Sequence, residues 1–204
     1  MLVRLLVCAV MLPAAVSAQA SIEVGPLVAL YRPVGHYEHT AAFFRVGTPD
    51  NPDDNRATGY GAEARVWVNR SFALQLQGMT STADHPTVYT PGGGPISSFT
   101  QVTSATAQVV YAVSPAFTRS RFWLSAGGGA IRHAGSSYEP YGSPTHAVGA
   151  LGVGSTIALL HGLGASIAVT SMFYRWDLSN NNGPYQRGMQ TDLLAHAGLT
   201  LRLP

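Results

Sequence analysis

Eight segments of about ten residues, each alternating apolar and polar side chains, are separated by connections that run long, short, long, short, long, short, long. Alternation with period two is the mark of an extended strand with two different faces. A regular switch between long and short connections gathers the long ones at one rim and the short ones at the other. Such asymmetry between rims is expected of an up-and-down barrel in a bilayer. Strands that meet lipid must close into a ring, because an open edge leaves backbone N–H and C=O groups unpaired in hydrocarbon. The expected fold is therefore all-β: an eight-stranded antiparallel up-and-down transmembrane β-barrel.

The first strand is read as Ser21 to Arg32 and the second as about Thr58 to Val68. The third runs from Phe72 to Thr82, the fourth from Phe99 to Val113, the fifth from Arg121 to Arg132 and the sixth from His146 to Leu159. Leu163 to Trp176 forms the seventh, and the eighth closes through Leu193 to Leu203. The long connections carry breaker clusters such as Asn180-Asn-Asn-Gly-Pro184 and Pro91-Gly-Gly-Gly-Pro95. Asn69-Arg70-Ser71 and Leu160-His161-Gly162 are tight turns, and Ser114 to Ser120 is a short one. A helix over the sixth strand is excluded by Gly149, Gly152 and Gly154, each costing about 1 kcal/mol against alanine.

The N-terminus places Arg4 before an apolar run, Leu5 to Val16, and the small residues Ser17-Ala18-Gln19-Ala20. This is the pattern of a secretory signal peptide over residues 1–20, leaving 21–204 as one barrel domain. After residue 20 no cysteine remains, so burial and hydrogen bonding must hold the exported domain together. Every basic residue is arginine, and the near-balance of 12 basic against 10 acidic residues gives no nucleic-acid footprint. Charged residues are only 11% of the chain, while no later apolar run is long enough for a spanning helix.

The wholly apolar parity is assigned to lipid. Tyr60, Phe72, Tyr111, Phe122 and Phe173 fall on it near strand ends, with aliphatic residues between, as in an aromatic girdle. The mixed parity is assigned to the lumen, where Glu23, Glu63, Arg65, Gln75, Gln77, Gln108 and His196 form an expected polar network. Eight strands enclose a space only wide enough for side chains, so the lumen is expected to be a packed polar core without a channel. Arg65 should pair with Glu63 or Glu23, since an unpaired buried charge costs several kcal/mol. Gly127, Gly128 and Gly129 are read as making room for Trp67, Trp123 or Tyr174. Arg32, Arg132 and Arg175 lie on the outward parity at the long-connection ends of their strands, suited to snorkelling and to lipid phosphate.

The layout resembles the small eight-stranded outer-membrane barrel family, the class containing the OmpA transmembrane domain. The final strand adds a sharper likeness: His196-Ala-Gly198-Leu-Thr-Leu201-Arg-Leu203 fits the family's assembly signal of polar residue, glycine and two hydrophobics. The chain departs from the usual terminal aromatic, ending Leu203-Pro204. The resemblance implies a bacterial outer membrane location after export, recognition by the barrel assembly machinery, and a role in envelope integrity or adhesion through four outer loops. The implied partners are outer-membrane lipid, lipopolysaccharide and a surface ligand, with the barrel a monomer.

Two rival readings belong to other classes. Some barrels of this size modify lipid A, and His133, Ser136, Ser137 and Glu139 are the nearest candidates for such chemistry, though set on a flexible stretch. A soluble exported barrel holding an apolar ligand would turn the apolar parity inward. His36, His39, His85, His133 and His146 sit on or beside long connections, and the run 50–55 is acidic. None has the spacing of a metal site, so neither metal nor cofactor is expected, and no catalytic residue is assigned.

Overall fold

The computed structural model describes residues 21–34, 57–89, 95–113, 120–135, 143–178 and 186–203. Eight strands follow in order: β1 Ser21–Pro33, β2 Ala57–Trp67, β3 Phe72–Tyr89, β4 Pro95–Ala112, β5 Ser120–Ala134, β6 Thr145–Leu160, β7 Leu163–Leu178 and β8 Gln186–Leu203. Each pairs antiparallel with its sequence neighbour, and β1 closes on β8.

Closure is staggered. From Ile22 the ladder partners run through Val66, Leu74, Val109, Ala126, Leu151, Ser171 and Leu193, and return to β1 at Arg32. The ring thus comes back ten residues further up the strand, a shear that forces the strands to tilt about 35–45° from the barrel axis.

The turns form for local reasons. In the β2–β3 turn, Asn69 Oδ1 accepts from the backbone N–H groups of Ser71 and Phe72, both at 2.8 Å, an Asx turn that ends one strand and starts the next. The β6–β7 connection is only His161-Gly162, and Gly162 takes φ +77°, a conformation glycine adopts without penalty. Both lie at the rim where Ile22 pairs with Leu203.

Strand ends differ from expectation. β3 continues to Tyr89 and β4 begins at Pro95, paired to each other with a register irregularity between His85 and Val88. The connection there is five residues, 90–94, rather than a long loop. Pro95 is thus the first residue of β4, a position where a strand tolerates proline.

Orientation is decided by β3. Leu74 and Leu76 are 50% and 62% exposed, while Gln75 and Gln77 are 1% and 5% exposed. The same parity holds around the ring: Val28, Val109, Leu124, Leu151, Ile167 and Leu199 face out, with Tyr60, Phe72, Tyr111, Phe122 and Phe173 among them. Phe72 and Tyr111, opposite each other on β3 and β4, bring their rings to 5.2 Å at the short-turn rim.

The lumen is less uniformly polar than the alternation suggests. One inner cluster joins Leu27, Tyr31, Met79, Ile131, Val148, Met172, Tyr174 and Leu194, and another joins Trp67, Val110 and Trp123. Apolar side chains packed against one another inside a barrel gain from leaving water just as in any core. The room for Trp123 also comes from elsewhere than expected. A Cβ on Gly154 would lie 2.3 Å from the Trp123 ring, whereas one on Gly127 or Gly129 would strike the backbone of β4 at 2.1 or 1.9 Å. Glycine in β5 thus permits close approach of two strands; glycine in β6 admits the indole.

Candidate functional site

Two polar clusters occupy the lumen. The one nearer the short turns is organised by Arg65. Antiparallel register sets Arg65 of β2 opposite Glu23 of β1 on one side and Gln75 of β3 on the other. Its guanidinium lies 3.5 Å from Glu23 Oε2 and 3.5 Å from Glu63 Oε2. It donates to Gln75 Oε1 at 3.1 Å from Nε and 3.0 Å from Nη2, reaches Thr156 Oγ1 at 3.4 Å, and stacks 4.6 Å from the Trp123 ring. Glu63 also accepts from Gln75 Nε2 at 3.5 Å and from Ser166 Oγ at 3.3 Å. The buried guanidinium is thereby engaged by partners from five strands, which is the condition for tolerating a buried charge.

Glu23 has a second cation. Arg202 of β8 donates to its Oε1 from Nε at 3.1 Å and again from Nη2. Gln77 Nε2 and His196 Nδ1 meet at 3.2 Å, and Ser125 Oγ donates to Gln108 Oε1 at 2.7 Å while Gln108 Nε2 reaches Thr106 at 3.0 Å. All seven residues read from the sequence as a lumen network point inward and are buried. The structure joins Glu23, Glu63, Arg65 and Gln75 directly, and sets Gln77–His196 and Gln108 in separate bonded groups.

The second cluster lies toward the long-connection rim, and the sequence reading misses it. Asp192 of β8 accepts from Tyr31 Oη at 2.6 Å, Tyr174 Oη at 2.9 Å and Gln190 Nε2 at 3.0 Å. Tyr174 Oη is also 3.3 Å from His133 Nε2. With its one proton given to Asp192, the phenol can only accept there, so His133 carries its proton on Nε2. The His146 ring stacks on Tyr174 at 5.4 Å and meets His133 edge-on at 5.9 Å. Apolar residues separate the clusters: Leu194 stands between Asp192 and His196 on β8, and Met172 between Tyr174 and Thr170 on β7.

This corrects the reading of His133 as a loop residue, whereas His146 lies at the start of the sixth strand as expected. β5 runs on to Ala134 and β6 starts at Thr145, so both histidines sit on strands, and His133 is fully buried in the lumen. It is not on the lipid-facing rim where lipid-A chemistry would occur. Ser136, Ser137, Glu139, His36, His39, the acidic run 50–55 and the leader 1–20 lie outside the described residues. Among the described residues, no three His, Cys, Asp or Glu side chains are placed to hold a metal.

Arg32, Arg132 and Arg175 are exposed on β1, β5 and β7, alternate strands near the long-connection rim, and are not brought together. Within 196–203, His196 faces the lumen while Leu201 and Leu203 face out and Gly198 lies close against Pro26 and Leu27 of β1.

The fold is shared with known structures. OprG of Pseudomonas aeruginosa matches at TM-score 0.54 and 10% identity over 90% of this chain and 96% of that one. Neisserial surface protein A matches at 0.53 and 9% identity, with 89% and 96% covered. A major outer membrane protein of Thermus thermophilus matches at 0.51 and 13% identity, with 90% and 99% covered. No protein-family model and no curated protein matches the chain. At these identities the likeness is one of architecture: the chain has the closed eight-stranded fold of small outer-membrane barrels.

Proposed function

We propose that this chain is a monomeric outer-membrane barrel, exported by its leader, with a structural or surface-interaction role carried by the long connections of one rim. One observation supports this most: an apolar outer belt wraps a barrel that keeps Glu23, Glu63 and Arg65 paired inside. In water, a belt of that extent would far exceed the few hundred Å² that soluble monomers expose. In a bilayer it is the required surface, and the short-turn rim then faces the periplasm.

The lumen acts as a plug. Arg65, Glu63 and Gln75 fill one level, and Met79, Met172 and Leu194 fill another. Such a centre braces the wall against collapse and leaves no wide pore. Purified protein in planar bilayers is expected to show no large, steady conductance; open channels of porin size would contradict the plugged reading.

Arg32, Arg132 and Arg175 are suited to the phosphates of lipopolysaccharide, each presenting a planar fork outward near the outer rim. Replacing all three with glutamine should reduce the lipopolysaccharide that co-purifies with the barrel. Unchanged co-purification would leave them as simple interfacial anchors. The strand-end pattern from His196 to Leu203 is the segment offered to the assembly machinery. Its disruption at Gly198 should lower insertion in cells more than refolding in vitro.

A further inference from the structure

The short-turn mouth of the lumen holds a cavity of about 210 Å³, lined by Glu23, Arg121, Thr156, Gly164, Thr200 and Arg202 among others. Its charges do not balance. Among the described residues, Arg65, Arg121 and Arg202 converge on this end against Glu23 and Glu63. Arg65 and Arg202 are the two that engage those carboxylates. Arg121 lies with its guanidinium 4.1 Å over the Trp67 ring and is attracted by the Glu23 carboxylate, though among the described residues it makes no hydrogen bond or ion pair. The indole face fixes the position of the cation while leaving all five N–H donors unspent.

The rest of the lining is rich in donors. Thr156 Oγ1 already accepts from Arg65 Nη1 at 3.4 Å and from Trp123 Nε1 at 3.3 Å, so both lone pairs are engaged and its O–H must donate elsewhere. Thr200 adds a second hydroxyl, and half the Arg202 side chain remains exposed at the mouth. An excess cation beside low-dielectric walls calls for a counter-ion. Planar guanidinium forks with hydroxyl donors around them favour an anion with several oxygens over a spherical halide. A cavity of this size, open at the mouth, has room for one tetrahedral oxyanion with bridging waters.

We propose that this mouth is a binding site for a compact oxyanion of the phosphate class, held by Arg121 with Arg202 and Thr156. Glu23 is shared by all three arginines, and Arg121 is the one that forms no ion pair with it among the described residues. The site opens on the short-turn side, away from the long connections, and does not depend on what those connections bind.

The test uses the whole folded protein in a phosphate-free detergent such as octyl glucoside, with inorganic phosphate as the probe, followed by calorimetry and by ³¹P line broadening. Wild type is expected to bind saturably. Arg121→Gln should weaken binding at least tenfold, Arg121→Lys less so, and Arg70→Gln, in the β2–β3 turn outside the cavity lining, should leave it unchanged. Heat-modifiability on a gel confirms that each variant is folded; should Arg121→Gln fail that check, Arg121→Lys carries the comparison. Glycerol 3-phosphate separates the sources: binding of phosphate alone means the free ion, and binding of both means the terminal phosphate of a larger molecule. Absence of saturable binding by wild type would overturn the proposal. So would equal binding by the folded Arg121 variants, or displacement of phosphate by an equal concentration of chloride.

Discussion

Glu23 and Arg65 stand opposite one another in the β1–β2 ladder, and their side chains meet inside the barrel at 3.5 Å. The pair is held from both sides, Glu23 by Arg202 and Arg65 by Gln75 and Glu63, so removing one member leaves buried charges without their partner.

Arg65→Met should therefore cost about 3–5 kcal/mol, the usual penalty for leaving a buried charge unpaired. Adding Glu63→Gln to that variant should recover about 1 kcal/mol, because one of the orphaned charges is gone. Urea unfolding in lipid vesicles, followed by tryptophan fluorescence, measures both. A double variant no more stable than the single one would show that Glu63 is not part of the network energetically.

At the other end, Asp192→Ala removes the acceptor of two buried phenols. A loss of about 1–3 kcal/mol is expected for the donors left unsatisfied. Asp192 and Tyr31 are far apart in sequence yet share a 2.6 Å bond. A double-mutant cycle of Asp192→Ala with Tyr31→Phe should accordingly give a coupling of about 0.5–3 kcal/mol. Simple additivity would mean that the bond contributes nothing.

The two glycine environments predict opposite outcomes for the same substitution. Gly154→Ala drives a methyl to 2.3 Å from the Trp123 ring and 2.7 Å from Ala168 Cβ, an overpacking expected to cost about 1–3 kcal/mol. Gly78→Ala meets nothing within 4 Å and should change stability by about 0.5 kcal/mol or less. Comparable losses at both sites would refute the packing described around Trp123.

Charge on the outer face should act by depth. Leu76 lies mid-belt, and Leu76→Arg is expected to cost about 2–4 kcal/mol in a bilayer. Leu160, at the β6–β7 turn, should accept arginine for about 0–1 kcal/mol. Equal costs, measured by refolding into vesicles, would argue against a bilayer around this belt.

Much of this is legible in the chain. Period-two alternation identifies every strand, and parity alone places Glu23, Arg65 and Gln75 on one face. What it leaves out has physical causes. The β3–β4 hairpin reads too short because prolines and glycines in residues 86–95 break the alternation, although a strand may begin on proline. His133 reads as a loop residue since strand ends carry no local signal when the ladder simply continues. The Asp192 cluster is assembled from β1, β5, β6, β7 and β8, and only the stagger of the closed ring brings Tyr31 to Asp192. Arg202 sits on the lumen parity, yet its partnership with Glu23 depends on the β1–β8 closure, which strand patterns do not specify.

The central claim is that this barrel closes around its charges and shows its apolar belt to lipid. Membranes carrying the protein, washed with alkaline carbonate and then run unheated and heated on a detergent gel, test insertion and closure together. Retention in the membrane pellet with a shift in mobility on boiling is the predicted result. Release into the carbonate supernatant, or a single mobility with and without heat, would contradict it.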